Sequence, residues 1–207
     1  MARYLASAEA FSKRASALLA AGNPADLLYC ALELRLGIES RTQSYIHASD
    51  QISAQLKKGY HAGKLTAALR ATHSDGRFVS VLNVRPEPPL VGCTFEFIPL
   101  SSLLISAYDK LGNYLHYKEK GPSFTAPWWE ELRALLVPAV RDLAICARGT
   151  MLGVPLWRQS TNEMNLKLEL PNADPRIETM KVLAESGQQH TIGVEYVPTE
   201  AFYDQAR

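Results

Sequence analysis

At 207 residues the chain is long enough for one well-filled hydrophobic core, and one core is the default expectation. Hydrophobic residues at 47% and charged residues at 21% are ordinary globular values, which disfavours disordered, collagen-like and transmembrane classes. A formal charge of +1 gives no whole-molecule electrostatic footprint for nucleic acid or membrane, so any polyanion has to bind a local patch.

Residues 1–22 are rich in Ala, Ser and basic residues, as targeting segments are, yet Glu9, Lys13 and Arg14 interrupt any apolar run. Leu5, Ala8, Phe11, Ala15, Leu18 and Leu19 fall at helical spacing and predict a first structural helix. "GNP" supplies a stop followed by a helix-starting proline. The second helix, 25–49, carries Leu27, Leu28, Cys30, Leu32, Leu34, Leu36 and Ile38 on more than one face, the pattern of a helix central in a bundle or placed in an oligomer interface. Residues 50–73 continue helical, with Leu56, Leu65 and Leu69 as core candidates and Gly59 or Gly63 as interruptions.

"RFVSVLNV" and "CTFEFI", joined by a proline-rich loop, are β-rich and predict a hairpin at about 76–99. The helical period returns from Leu100, and after "GPSFTAP" a long helix follows, which Pro138 should kink or split. Beyond about Val154, "MNLKLELP", "RIETMKVL" and "HTIGVEYV" alternate and predict three antiparallel strands, too few to stand alone. The chain therefore reads as α+β, predominantly α: a helical bundle over 1–153 with a β-hairpin insertion, and a small antiparallel β subdomain over 154–207 packed on it.

Cys30, Cys93 and Cys146 are odd in number, far apart and set in apolar contexts, which predicts reduced buried thiols in a cytoplasmic protein. With no CxxC spacing a zinc ribbon is excluded, and His61, His73 and Asp75 lack metal-site spacing, so no cofactor or metal is expected. There is no glycine-rich phosphate loop and no nucleophile elbow. Trp128 and Trp129 open a helix and read as packing groups before a base-stacking platform.

Chemistry-bearing residues concentrate on two helices. Arg35 and Glu39 stand four apart in a helix with little room for a solvent face, and buried charges require partners. "RTQSYIH" places Arg41 and His47 about 120° apart on a straight helix, so they converge only through a bend or a second chain. "KLGNYLH" repeats the arrangement with Lys110 and His116; Asn113 lies nearly on the histidine's face, and Gly112 supplies a point of weakness. The plain reading of this stretch is core packing by Leu111, Tyr114 and Leu115, with His116 at a helix end that welcomes a cation.

A first amphipathic helix, a long second helix of the "YCALELRLGIES" type and a later helix ending in "YDKLGNYLHY" together resemble the HEPN superfamily over roughly the first 150 residues. In that family an arginine, four to six residues and a histidine mark the RNA-cleaving members. The resemblance implies His116 as acid–base group, Lys110 where arginine is usual, and Asn113 as a displaced polar positioning residue. Arg41, His47, Arg35 and Glu39 form the reserve or cleft-lining set. It further implies a metal-independent ribonuclease of toxin or defence type, acting as a homodimer on RNA, with a regulatory protein partner possible and no membrane association. The lysine in the arginine position and the near-neutral charge favour the alternative, a non-catalytic interaction or RNA- or ligand-binding module acting with a partner protein.

Overall fold

The computed structural model describes residues 6–50, 52–58, 67, 77–86, 92–116, 126–158, 160, 163–187 and 189–206. Helix α1 (Ala8–Ala21) starts at Ser7, whose hydroxyl accepts from the Ala10 N–H at 3.2 Å, and stops at Gly22, where a φ of 70° suits the residue without a Cβ. Asn23 then caps α2 (Pro24–Ala48), with Pro24 in the first turn where no hydrogen bond is lost. α2 lies against α1, α4 (Ser102–Leu115) and α5 (Ala126–Ala147), so its apolar circumference is consumed by the bundle. Cys30, Ala31 and Leu34 of α2, Leu104 and Leu111 of α4, and Leu136 of α5 are fully buried together. Each such leucine contributes about 1.5–3 kcal/mol.

Gly37 lets three helices approach one another. A Cβ there would stand 2.5 Å from Leu143 Cδ2 of α5 and 3.1 Å from Phe11 Cβ of α1. α5 runs through Pro138 as one continuous helix, neither split nor ended by it. α4 begins at Ser101, whose hydroxyl accepts from the Leu104 N–H and donates to Asp142 Oδ2 at 2.8 Å, a fully buried contact that ties α4 to α5.

The β-rich segments form one antiparallel sheet in the order β2–β1–β5, where β1 is Phe78–Pro86, β2 is Cys93–Phe97 and β5 is His190–Pro198. β1 is central, pairing Ser80 with Phe97 on one side and Phe78 with Pro198 on the other. Leu82, Val84, Phe95 and Phe97 meet Tyr45 and Ile46 from the C-terminal half of α2, so α2 joins the helical core to a second apolar cluster under the sheet. Two strands, β3 (Leu156–Arg158) and β4 (Glu163–Asn165), make a separate small hairpin.

The chain is thus α+β and mainly helical, with a correction in its C-terminal quarter. The predicted strand "RIETMKVL" is helix α6 (Pro175–Ser186). Asp174 and Pro175 are an N-cap and first-turn pair, and Ile177, Met180 and Leu183 recur every third residue, so the helical signal outweighs the apparent alternation. The segment "MNLKLELP" is strand only at its start, with one further bridge from Leu168 to Met151. "HTIGVEYV" is the predicted strand, but it completes the sheet of β1 and β2, so the hairpin and the tail share one sheet. α7 (Thr199–Gln205) follows and seats Tyr203, fully buried, with its hydroxyl donating to the Pro99 carbonyl at 2.9 Å. Of the predicted helix at 50–73, α3 (Ala54–Lys57) is described; most of the remainder, with His61 and His73, lies outside the described residues, as does Asp75.

Candidate active site between α2 and α4

Tyr108, Gly112 and His116 follow one another at four-residue intervals along α4 and share a face. Opposite them α2 presents Arg35 and Glu39, themselves four apart. Arg35 Nε donates to Glu39 Oε1 at 3.2 Å and Arg35 Nη2 donates to the Tyr108 hydroxyl at 3.2 Å, while that hydroxyl donates to Glu39 Oε1 at 2.7 Å. The guanidinium also lies 4.8 Å from the centre of the Tyr108 ring. Burial, and then the Glu39 carboxylate, push the Tyr108 hydroxyl up to about 12, with Arg35 opposing them. The tyrosine is therefore a neutral donor across the ordinary pH range.

Gly112 leaves a bare patch of backbone beside this trio. A Cβ at Gly112 would lie 3.5 Å from Arg35 Nη1 and 3.7 Å from His116 Nε2, so a cation and an imidazole approach one point from two helices. His116 caps α4, its N–H donating to the Gly112 carbonyl at 3.1 Å, and its side chain is exposed. The helix ends there in an extended residue, which swings the ring back over Gly112.

The other sequence candidates lie elsewhere. Lys110 and Asn113 are exposed and make no hydrogen bond or ion pair among the described residues. Lys110 is six positions from His116, about 120° around the helix, and the cation beside the imidazole is Arg35. Arg41 is 2% exposed and committed to the interior: Nε donates to the Tyr45 hydroxyl at 2.8 Å, Nη1 to Glu169 Oε2 at 3.0 Å and Nη2 to the Gly149 carbonyl at 2.6 Å. Burial works against its charge, but Tyr45, Cys146 and Glu169 more than offset it and the pKa is raised. His47 is exposed at the far end of α2, where its carbonyl accepts from Lys57, and takes no part in the Arg41 network.

Tyr108 is the member that the sequence did not single out. Its signal was available, because it precedes Gly112 by the same interval at which His116 follows. Trp128 packs on Tyr114 with ring centres 5.2 Å apart and on Trp129 at 4.5 Å, fastening the start of α5 to α4. Among the described residues no group of three or more His, Cys, Asp or Glu side chains is placed to hold a metal ion, and no helix is long and apolar enough to cross a membrane. Comparison with protein-family models, with curated proteins and with solved structures finds no match in any of the three.

Proposed function

We propose that the cleft between α2 and α4 is an acid–base site for RNA cleavage, with His116 as the proton-transfer group and Arg35, rather than Lys110, as the fixed cation. The observation that carries this reading is the convergence of Arg35 Nη1 and His116 Nε2 on Gly112. The His116 imidazole takes the proton of a ribose 2′-hydroxyl as that oxygen attacks phosphorus. The P–O5′ bond then breaks, leaving a 2′,3′-cyclic phosphate, and the departing 5′-oxygen takes a proton from a second imidazole. Arginine's fork suits the charge that grows on the non-bridging oxygens.

The second imidazole is His116 of another copy, brought up by two-fold pairing. Leu32 at 41% and Tyr29 at 61% exposure lie on α2 three and six positions before Arg35 and offer an exposed apolar patch for such pairing. A second reading, a non-catalytic interaction or ligand-binding module of HEPN type, is favoured by the Arg35–Glu39–Tyr108 trio, which also serves to tie α2 to α4.

Purified protein incubated with mixed RNA and excess chelator decides between them. The nuclease reading expects cyclic-phosphate ends, a loss of about 10²–10⁴-fold in His116→Ala, and a comparable loss in Arg35→Gln with Lys110→Gln nearly unaffected. Intact RNA at high protein concentration sinks it and leaves the module.

A further inference from the structure

A cavity of about 620 Å³, within the size range of small-molecule sites, opens away from the α2–α4 cleft. Its walls come from the first turns of α1, the residues that follow α5 and the segment leading into α6, with Arg41 reaching it from α2. Three carboxylates line it, and each already holds a cation: Glu9 with Lys13, Glu169 with Arg41, and Asp174 with Arg176. Arg148, exposed on the same wall, has no ion-pair partner among the described residues, so the lining carries one surplus positive charge.

Three further features aim donors at this space. Ser12 is 4% exposed and lines the cavity, and its hydroxyl makes no hydrogen bond among the described residues, so it is free to bond a ligand there. Arg41 spends three of its N–H groups on protein acceptors, and a guanidinium has about five, so donors remain. The start of α1 faces the cavity, and Ser7 satisfies only the Ala10 N–H, which leaves those of Ala8 and Glu9 without an acceptor inside the helix. Leu170 and Pro171 provide an apolar wall.

We propose that this cavity binds a small phosphate monoester, its oxyanion held by Arg148, Arg41, the Ser12 hydroxyl and the α1 N-terminus, and its uncharged body against Leu170 and Pro171. A phosphate matches the several donors that converge from different directions, and the apolar wall gives the body affinity that a bare anion lacks.

Calorimetric titration with phenyl phosphate, inorganic phosphate and benzoate tests the assignment independently of any RNA cleavage. Phenyl phosphate is expected to bind saturably and more tightly than either inorganic phosphate or benzoate. Arg148→Gln, at an exposed position that leaves the fold intact, should weaken it about tenfold, and Ser12→Ala should weaken it measurably with an unchanged Tm. Absence of saturable binding up to about 10 mM phenyl phosphate, equal affinity in Arg148→Gln, or a preference for benzoate overturns it.

Discussion

Arg41 Nε lies 2.8 Å from the Tyr45 hydroxyl one turn further along α2, in a part of the core where both residues are 2% exposed. The hydroxyl in turn donates a hydrogen bond to the Ile98 carbonyl, so a single tyrosine accepts from a buried cation and donates to the edge of the sheet region. Burial pushes the Tyr45 hydroxyl well above its ordinary value despite the nearby arginine, and it stays protonated. Arg41→Met is expected to lower stability by about 3 kcal/mol, the low end for a broken buried pair because Glu169 remains half exposed. Tyr45→Phe, which strands Arg41 Nε, should cost about 1–3 kcal/mol. In urea unfolding the double variant should lose less than the two single losses added together; full additivity would show that the pair does not act as a unit.

The glycines of the two main helices separate packing from propensity. Gly37→Ala gains helix propensity but drives its methyl group to 3.1 Å from the Cβ of Phe11, an atom fixed to the α1 backbone, and to 2.5 Å from Leu143 Cδ2. Overpacking wins, with a net loss of roughly 1–2 kcal/mol. Gly112→Ala meets its nearest neighbours at 3.5 Å or more and should leave Tm unchanged or raised. A cleavage assay on the same protein then reports whether the bare patch between Arg35 and His116 is needed for substrate.

Acid should loosen α6 before the bundle. Asp174 accepts at its N-cap from the Arg176 N–H and from the Arg176 side chain, and these bonds hold its carboxyl down at about 2. A depressed carboxyl contributes stability that is present above its unfolded pKa and lost as pH falls through the folded one. The Tm gap between the parent and Asp174→Asn should therefore be full at neutral pH, shrink below about pH 4 and close near pH 2. A gap that stays constant across that range would mean that the aspartate acts through shape and not through charge.

The thiols should be silent until the protein unfolds. Cys30, Cys93 and Cys146 are all buried and unpaired by disulfides, and burial followed by the charge of Glu33 pushes Cys30 up to about 12. Thiolate is the reactive form, so a chromogenic thiol reagent at pH 8 should titrate none of the three in native protein and all of them in denaturant. Rapid modification of one thiol in the native state would contradict the packing around it.

The helical part of the fold was legible because its signals are local. Asn23 and Pro24, Gly22, and the apolar circumference of α2 each declare an element within a few residues. The sheet was legible as strands but not as a sheet, since nothing in "HTIGVEYV" announces that its partner is "RFVSVLNV". Arg35 and Glu39 were visible as charges in need of partners, whereas the approach of Arg35 to His116 depends on the contact between two helices, which spacing along either one does not encode. The burial of Arg41 had a similar cause, for its partners Gly149 and Glu169 come from distant segments.

The position of β1 between β2 and β5 has a kinetic consequence. Its hairpin with β2 closes over a short loop, but its other edge is matched only by residues 190–198. A chain emerging from the ribosome can therefore bring α1, α2, α4 and α5 together once Ala147 is made, while one flank of β1 still lacks its mate. Pairing of β5 onto β1 has to wait for residues 190–198, and a chain halted or clipped before them leaves that flank open to a strand from another molecule.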